Sequence, residues 1–248
     1  MQSLHKNPLT TEQIEHYHCE GYVIVRGLIP AERCADVHAL ASKRELSGKD
    51  WTPAIFDHQQ PDADAALHQL LVEPSVVDAV EALLSCSARV YYGMVAMVAP
   101  GGGRGLPWHQ DNQYQHVLHH ALNTFIAVSD IAPEQCTLWV APRSHLSGVV
   151  ASIDDKNFHG HKRCVSEPVN GMALPQLTAG DACIFNRNTI HRSLTNTTNT
   201  LRVAYAAQYM HEDGRVAATG QRDPSKMLAN ELAERWKKKR YKQIPEAS

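Results

Sequence analysis

The spacing of hydrophobic positions changes character near Ser87. Before it, apolar residues recur mostly at helical intervals between polar faces. Thr10-Thr11-Glu12-Gln13 offers a capping box, Thr10 with Gln13, that opens a helix running to about Glu20, where Gly21 stops it. Tyr22-Val23-Ile24-Val25 then reads as a strand. Pro30 stands where a first helical residue is favoured, and the spacing predicts a helix reaching Leu46. Residues 48–63 mix Gly, Pro, Asp and Gln without a period and read as a loop. A helical pair is predicted over 65–72 and 74–84.

After Ser87 the period shortens. β-rich runs occupy 90–98, 122–128, 138–140, 182–185, 191–195 and 201–209, separated by Pro100-Gly101-Gly102-Gly103, Pro133, Pro142 and Gly180-Asp181. A helical part over about 10–85 followed by many short strands over about 88–210 predicts an antiparallel sandwich or barrel with helices packed outside. Helical character returns over 224–242, and Lys237-Lys238-Lys239-Arg240 reads as the solvated end of that helix. No repeat or low-complexity linker divides the chain, so residues 1–248 are read as one domain.

Composition narrows the classes. The chain has 248 residues, 43% hydrophobic and 20% charged, with a formal net charge of -2, the profile of an ordinary soluble protein. No basic footprint calls for nucleic acid as a partner. No apolar run approaches the roughly 20 residues that cross a bilayer, so no membrane partner is expected. The start, Met1-Gln2-Ser3-Leu4-His5-Lys6, lacks the apolar core of a signal peptide. Six scattered cysteines without a CxxC argue against a structural zinc site and predict a reduced, cytoplasmic protein. With fifteen histidines, only spacing and context can single one out.

Leu106-Pro107-Trp108-His109-Gln110-Asp111 supplies such a context. If the segment is a strand, residues two apart share a face, and His109 and Asp111 point to one side. A bare HxD is common by chance, so further residues must support it. His191 follows a strand-like run about 80 residues downstream, far enough to stand on a facing strand. Two histidines and one carboxylate leave open metal positions, the arrangement of Fe(II) oxygenases. Arg202 lies inside the apolar run 201–205. A guanidinium there is costly unless paired, either by a carboxylate ligand or by a protein Asp or Glu. Ser193, two residues after His191, shares its face and is placed to give that carboxylate a second hydrogen bond.

These segments resemble the phytanoyl-CoA dioxygenase family over roughly residues 10–210. Gly21-Tyr22-Val23-Ile24-Val25-Arg26-Gly27-Leu28-Ile29 looks like the family's first strand, and Pro107-Trp108-His109-Gln110-Asp111 matches its best-known signature. Leu138-Trp139-Val140-Ala141-Pro142-Arg143-Ser144-His145 is similar to its Leu-x-Val-x-Pro-Gly-Ser-His stretch, and Gly180-Asp181, His191-x-Ser193 and Arg202 to its distal half. The resemblance implies a mainly β fold with flanking helices around a double-stranded β-helix (jelly-roll) core. It implies His109, Asp111 and His191 as iron ligands, and Arg202 with Ser193 as the anchor of the far carboxylate of 2-oxoglutarate. The chain departs from the pattern twice. Arg143 replaces the usual glycine. The strand that usually carries polar cosubstrate contacts reads Tyr91-Tyr92-Gly93-Met94-Val95-Ala96-Met97, where Tyr92 is either a replacement contact or a core ring.

The implied activity is that of a dioxygenase using Fe(II), 2-oxoglutarate and O2, releasing succinate and CO2 while hydroxylating an unactivated C–H. Asp111 separates the chain from halogenating relatives, which lack this carboxylate, and leaves hydroxylation, desaturation or cyclisation. The chain has little room for a CoA-binding extension, so a free small metabolite or natural-product intermediate is expected. Candidate substrate contacts are Asn112 and Gln113, at the start of the segment 112–120 that should line the mouth, with Arg104 and Arg143. Trp108, read first as packing, joins them because it adjoins a ligand. Residues 48–63 and 152–170 are candidate lids. Gly101–Gly105 reads as a hairpin or lid, lacking the Lys of a phosphate loop. Two other classes compete: a cupin-type metalloenzyme that needs no 2-oxoglutarate, and a non-catalytic metal-binding relative. Arg202 and Ser193 weigh against the first, the intact ligand set against the second.

Overall fold

The computed structural model describes residues 8–46, 48–56 and 65–241. Among the described residues, five α-helices, α1 (Thr11–Glu20), α2 (Ala31–Ser42), α3 (Ala65–Leu71), α4 (Pro74–Leu84) and α5 (Ala229–Tyr241), flank the strands. Nine strands build the framework: β1 (Tyr22–Val25), β2 (Thr52–Phe56), β3 (Ala88–Val98), β4 (Ala121–Ala127), β5 (Leu138–Val140), β6 (Met172–Ala173), β7 (Ala182–Asn186), β8 (His191–Ser193) and β9 (Arg202–His211). Six of them form an antiparallel sheet in the order β1-β7-β4-β9-β3-β2. A second sheet has the order β6-β5-β8. Residues 103–109 extend it beyond β8: Gly103 and Arg104 pair with Asn196 and Thr195, and His109 exchanges both backbone hydrogen bonds with His191, at 3.0 and 2.9 Å. Two antiparallel sheets face each other in this double-stranded β-helix (jelly roll), with helices on the outer face of the larger one.

Alternation along β9 sorts its side chains between two environments. Val203, Tyr205, Ala207 and Tyr209 enter the core beneath the helices, where the hydroxyls of Tyr205 and Tyr209 donate to the carbonyls of Leu67 and Leu71 at 2.6 and 2.9 Å. Arg202, Ala206 and Gln208 face the interior between the sheets and line a cavity of about 640 Å³. On β3 the alternation is broken. Gln208 pairs with Tyr92 and Tyr209 with Val90, so Tyr91 is the extra residue of a β-bulge, and Tyr91 and Tyr92 both line the cavity.

The N-terminal helix is tied to the site. Thr10 Oγ1 accepts from Gln13 N, and Gln13 Oε1 accepts from Thr10 N, the reciprocal cap read from the sequence. Gly21 has φ of +84°, and a Cβ there would collide with Thr189 Oγ1 and the His145 ring. That close approach lets Thr189 Oγ1 donate to Gly21 O at 2.7 Å, two residues before His191.

Several elements differ from the expectation. The presumed loop 48–63 contains β2, which runs along β3 from Thr52 opposite Met97 to Phe56 opposite Gly93. Pro53 is tolerated because β2 is the sheet edge, where a missing N–H donor breaks no ladder; this hid the strand from pattern reading. Residues 57–63 lie outside the described ones. α2 ends at Ser42, short of Leu46, with Ser42 Oγ turned back to His38 O at 2.8 Å. Pro30 is its cap, one position before the first helical residue. The run 191–195 breaks at Leu194 into β8 and a short bridge to Arg104. α5 begins at Ala229, later than the 224 expected, and residue 242 lies outside the described ones. Lys237 and Lys238 are exposed at its end. Within 152–170, Ser152–Asp154 pairs with Lys162–Cys164 as a hairpin whose tip brings Gly160 and His161 to the cavity.

Candidate active site

His109 and His191 sit opposite each other on adjacent antiparallel segments, with ring centroids 4.2 Å apart. Each ring places Nδ1 against a backbone carbonyl two residues earlier: Pro107 O at 2.7 Å for His109, Thr189 O at 2.9 Å for His191. A carbonyl only accepts, so Nδ1 carries the proton in both rings and the neutral imidazole keeps its lone pair on Nε2. Burial, reinforced by His191, pushes the pKa of His109 down to about 3, so this imidazole is neutral near pH 7.

Asp111 reaches the same point by a different local route from the one expected. Pairing stops at His109; Gln110 is still extended, and Asp111 opens a 3-10 turn, Asp111–Gln113. The extended dipeptide suffices for His109 and Asp111 to converge. Asp111 Oδ1 is 3.9 Å from His109 Nε2, and Oδ2 is 4.0 Å from His191 Nε2. Ligand atoms of the three residues lie within 4.8 Å of one another, the one such group of His, Cys, Asp and Glu among the described residues. Asp111 Oδ2 is buried and has no hydrogen-bond partner. A buried orphan carboxylate oxygen facing two fixed imidazole lone pairs is the surrounding a divalent cation neutralises, and the mixed N/O donor set fits iron(II).

Two buried arginines line the same cavity and differ in their partners. Arg187, 3% exposed, donates from Nε to Asn112 Oδ1, from Nη1 to Gln208 Oε1, and from Nη2 to the carbonyls of Asp111 and Gln115 at 3.2 and 3.1 Å. It thereby holds the main chain of Asp111. Gln208 passes the link on, donating from Nε2 to Tyr92 Oη at 2.9 Å. Arg202, 1% exposed, donates to Ala96 O at 3.1 Å and lies against Cys136 Sγ and the Phe125 ring. Its Nε has no partner, and no Asp or Glu among the described residues forms an ion pair with it. Ser193 also lines the cavity; its Oγ accepts from Leu106 N at 3.2 Å, which leaves the hydroxyl proton free to be donated.

Tyr92 lines the cavity, and burial pushes its hydroxyl pKa up, so it stays protonated. The other five candidates lie outside the lining. Trp108 is buried, packed on Gly171, with the Arg192 guanidinium 4.5 Å over its ring. The Asn112 amide is used by Asn188, Val117 and Arg187, and that of Gln113 by Val150 and Gln110. Arg104 pairs with Asp50 at 2.6 Å, and Arg143 with Glu20 at 3.6 Å. The 3-10 turn is the reason for the first differences: it buries Asn112, turns the Gln113 amide into protein contacts and sends Tyr114 and Gln115 to the cavity instead. Sequence reasoning missed Arg187 and Gln208. The signal was a charged residue directly after the apolar strand β7.

Fold and site together define a jelly-roll protein with a two-histidine, one-carboxylate centre. The chain belongs to the phytanoyl-CoA dioxygenase (PhyH) family of iron(II)- and 2-oxoglutarate-dependent oxygenases, whose model matches residues 17–204. No curated protein matches in sequence. Among solved structures, the chain is similar to the non-heme alpha ketoglutarate dependent epimerase SnoN from nogalamycin biosynthesis, with 21% identity, coverage of 85% of this chain and 86% of that one, and a TM-score of 0.68. SnoN has also been solved with Fe3+, alpha ketoglutarate and nogalamycin RO. The carbocyclase SnoK from the same biosynthesis shows 19% identity over 90% of this chain and 95% of that one, with a TM-score of 0.68. EvdO2 from Micromonospora carbonacea var. aurantiaca shows 19% identity over 88% and 96%, also at 0.68. At these identities the likeness establishes the fold. No helix among the described residues is long and apolar enough to cross a membrane.

Proposed function

We propose that this chain is an Fe(II)- and 2-oxoglutarate-dependent oxygenase of a small molecule, hydroxylating an unactivated C–H of a metabolite or natural-product intermediate. His109, Asp111 and His191 are its metal ligands, and Arg202 with Ser193 its anchor for the far carboxylate of 2-oxoglutarate. The observation that carries this reading is Arg202: a buried guanidinium without an acidic partner among the described residues, in the same cavity as the ligand triad. A buried charge demands a counter-charge, and a dicarboxylate cosubstrate supplies one. The balance is R–H + O2 + 2-oxoglutarate giving R–OH + succinate + CO2, with bound iron supplying the oxygen activation and oxidative decarboxylation.

The residues divide the remaining work. The carbonyls of Pro107 and Thr189 fix both imidazoles with Nε2 toward the metal. Arg187 holds Asp111 from behind through its carbonyl. Arg202 and Ser193 orient the cosubstrate by a two-donor contact to one carboxylate. Tyr92, whose oxygen accepts from Gln208, has its hydroxyl proton left to donate into the cavity and is a further cosubstrate contact. Leu106, Leu138, Phe125 and Phe185 wall the inner cavity and exclude water.

The test is succinate formation from 2-oxoglutarate with Fe(II) and ascorbate, run with compound pools and mass spectrometry of products. Stimulated succinate release with a product 16 Da heavier, carrying label from 18O2, is expected for hydroxylation. A second reading has support from the epimerase and carbocyclase among the similar structures: hydrogen removal without oxygen transfer. Loss of two hydrogens, which leave as water, gives a product 2 Da lighter; removal and return of one hydrogen, with ascorbate supplying the reducing equivalents, gives a product of unchanged mass. No succinate under any condition sinks both. The protein is expected to act in solution on its small-molecule substrate, in the cytoplasm.

A further inference from the structure

The outer part of the cavity has a different chemistry from its floor. From His109 a chain of edge-to-face rings leads toward the surface. Tyr114 stands 5.8 Å from His109 at 81°, His161 5.9 Å from Tyr114 at 77°, and Trp51 5.0 Å from His161 at 88°. All of them line the cavity. Two of the rings are held by hydrogen bonds: Tyr114 Oη meets His161 Nδ1 at 3.3 Å and accepts from Lys162 N at 3.1 Å. The neighbouring edge strand β2 adds Pro53 and Ile55 to the same lining. Ile55 is 67% exposed, an apolar side chain held toward solvent at a cavity rim.

Negative charge is scarce along this passage, while Arg187, Arg192, Arg202 and Lys226 all line the cavity. Asp111 is the one acidic residue of the lining among the described residues, and it belongs to the triad. The donors of Arg187 go to protein acceptors. The Arg192 guanidinium lies between Trp108 and Trp139, whose rings are outside the lining. The Lys226 ammonium lies over the Tyr91 ring. A zwitterion entering here would find no free carboxylate for its ammonium, since Asp111 belongs to the triad. A flat uncharged ring system would instead meet aromatic faces and edges and bury apolar surface on Ile55.

We propose that Trp51, Tyr114, His161 and Ile55 form a ring-binding subsite, and that the substrate carries a fused or aromatic ring system and is not an amino-acid-like zwitterion. This rests on the oxygenase reading above for the reaction and on the passage alone for the substrate class. The cavity volume of about 640 Å³ is in the range that encloses a ligand of drug-like size.

The test is calorimetric titration of the full chain loaded with Fe(II) and 2-oxoglutarate without oxygen, using three probes: 1,8-dihydroxyanthraquinone, decanoate and taurine. The quinone is expected to bind at least tenfold more tightly than the other two. Trp51→Ala and Tyr114→Ala are each expected to weaken it about 2- to 12-fold, the worth of one aromatic contact, and Trp51→Phe to keep it within about twofold. Thermal melts of each variant show that it is folded. The proposal is overturned if taurine or decanoate binds as well as the quinone, or if neither alanine variant weakens quinone binding. Succinate assays on the same preparations separate the two readings. Ring binding with no succinate from any pool keeps the subsite and sinks the oxygenase. Succinate release without ring preference keeps the oxygenase and sinks the subsite.

Discussion

Arg187 and Arg202 are both almost fully buried and both border one cavity, but their surroundings differ. Around Arg187 the protein provides every acceptor: two side-chain amides and two main-chain carbonyls. Around Arg202 it provides one carbonyl, a thiol and a ring, and leaves Nε without a partner. A satisfied buried charge is part of the scaffold. In the reading proposed for Arg202, an unsatisfied one is a cost that a bound carboxylate offsets. The contrast distinguishes a positioning residue from a binding residue when exposure alone does not.

The metal centre sets the scale for breaking that contrast. Asp111→Ala or His191→Ala should lower cosubstrate turnover by more than the roughly 100-fold that outer-shell changes reach, with iron binding lost in parallel by metal analysis. Arg202→Met comes next. It should weaken 2-oxoglutarate by about 3–5 kcal/mol, the cost of an uncompensated buried charge, seen here as a carboxylate left without its cation. The ligand-free variant should melt no lower than the parent, because an unpaired charge has been replaced by an apolar chain of similar length. Arg187→Met should do the reverse. It strands Asn112, Gln208 and two carbonyls, so the ligand-free protein should lose about 2–4 kcal/mol, and added 2-oxoglutarate should not restore the parent's melting temperature. Equal melting of the two methionine variants would remove the distinction.

Two smaller effects lie outside the cavity floor. Burial, with His18 and His211 adding to it, holds the pKa of His120 down at about 4, below the ordinary value near 6.5. As pH falls, the unfolded chain takes up this proton first. Stability present above about pH 6.5 should therefore be lost progressively toward about pH 4, with His109 adding in the same direction in the metal-free protein. His120→Gln should flatten part of that slope in a melting series. The smallest change is expected from Arg143→Gly. Arg143 has φ of +66°, which glycine adopts without strain, while its exposed pairing with Glu20 is worth little. Stability should rise by no more than about 1 kcal/mol, with turnover unchanged.

Much of this was legible in the chain itself. The Thr10–Gln13 box, the stop at Gly21 and the β runs after Ser87 are local signals and stand where local physics puts them. Histidine, aspartate and the second histidine could be linked because alternation predicts which side chains share a face, even though the strand ends at His109 and a turn begins at Asp111. The edge strand β2 was not legible, because its proline and short apolar run look like a loop until β3 lies beside them. Nor was the substrate passage. The residues singled out for it by adjacency to the metal motif turned away into protein contacts, and Trp51, Ile55 and His161 arrived from segments far apart in sequence.

By itself, then, the amino-acid order determined the periodicities, the caps and turns, and the shared face of His109 and Asp111, since these depend on neighbours within a few positions; His191, 82 positions on, was joined to them by motif. Tertiary structure alone decided that the bulge at Tyr91 turns two consecutive tyrosines into the cavity and that β2 closes its rim. It also decided that every guanidinium nitrogen of Arg187 has a partner while Arg202 Nε has none. The physical reason is that a donor's fate depends on which acceptors distant segments bring within about 3 Å of it, and that follows only from how the two sheets pack.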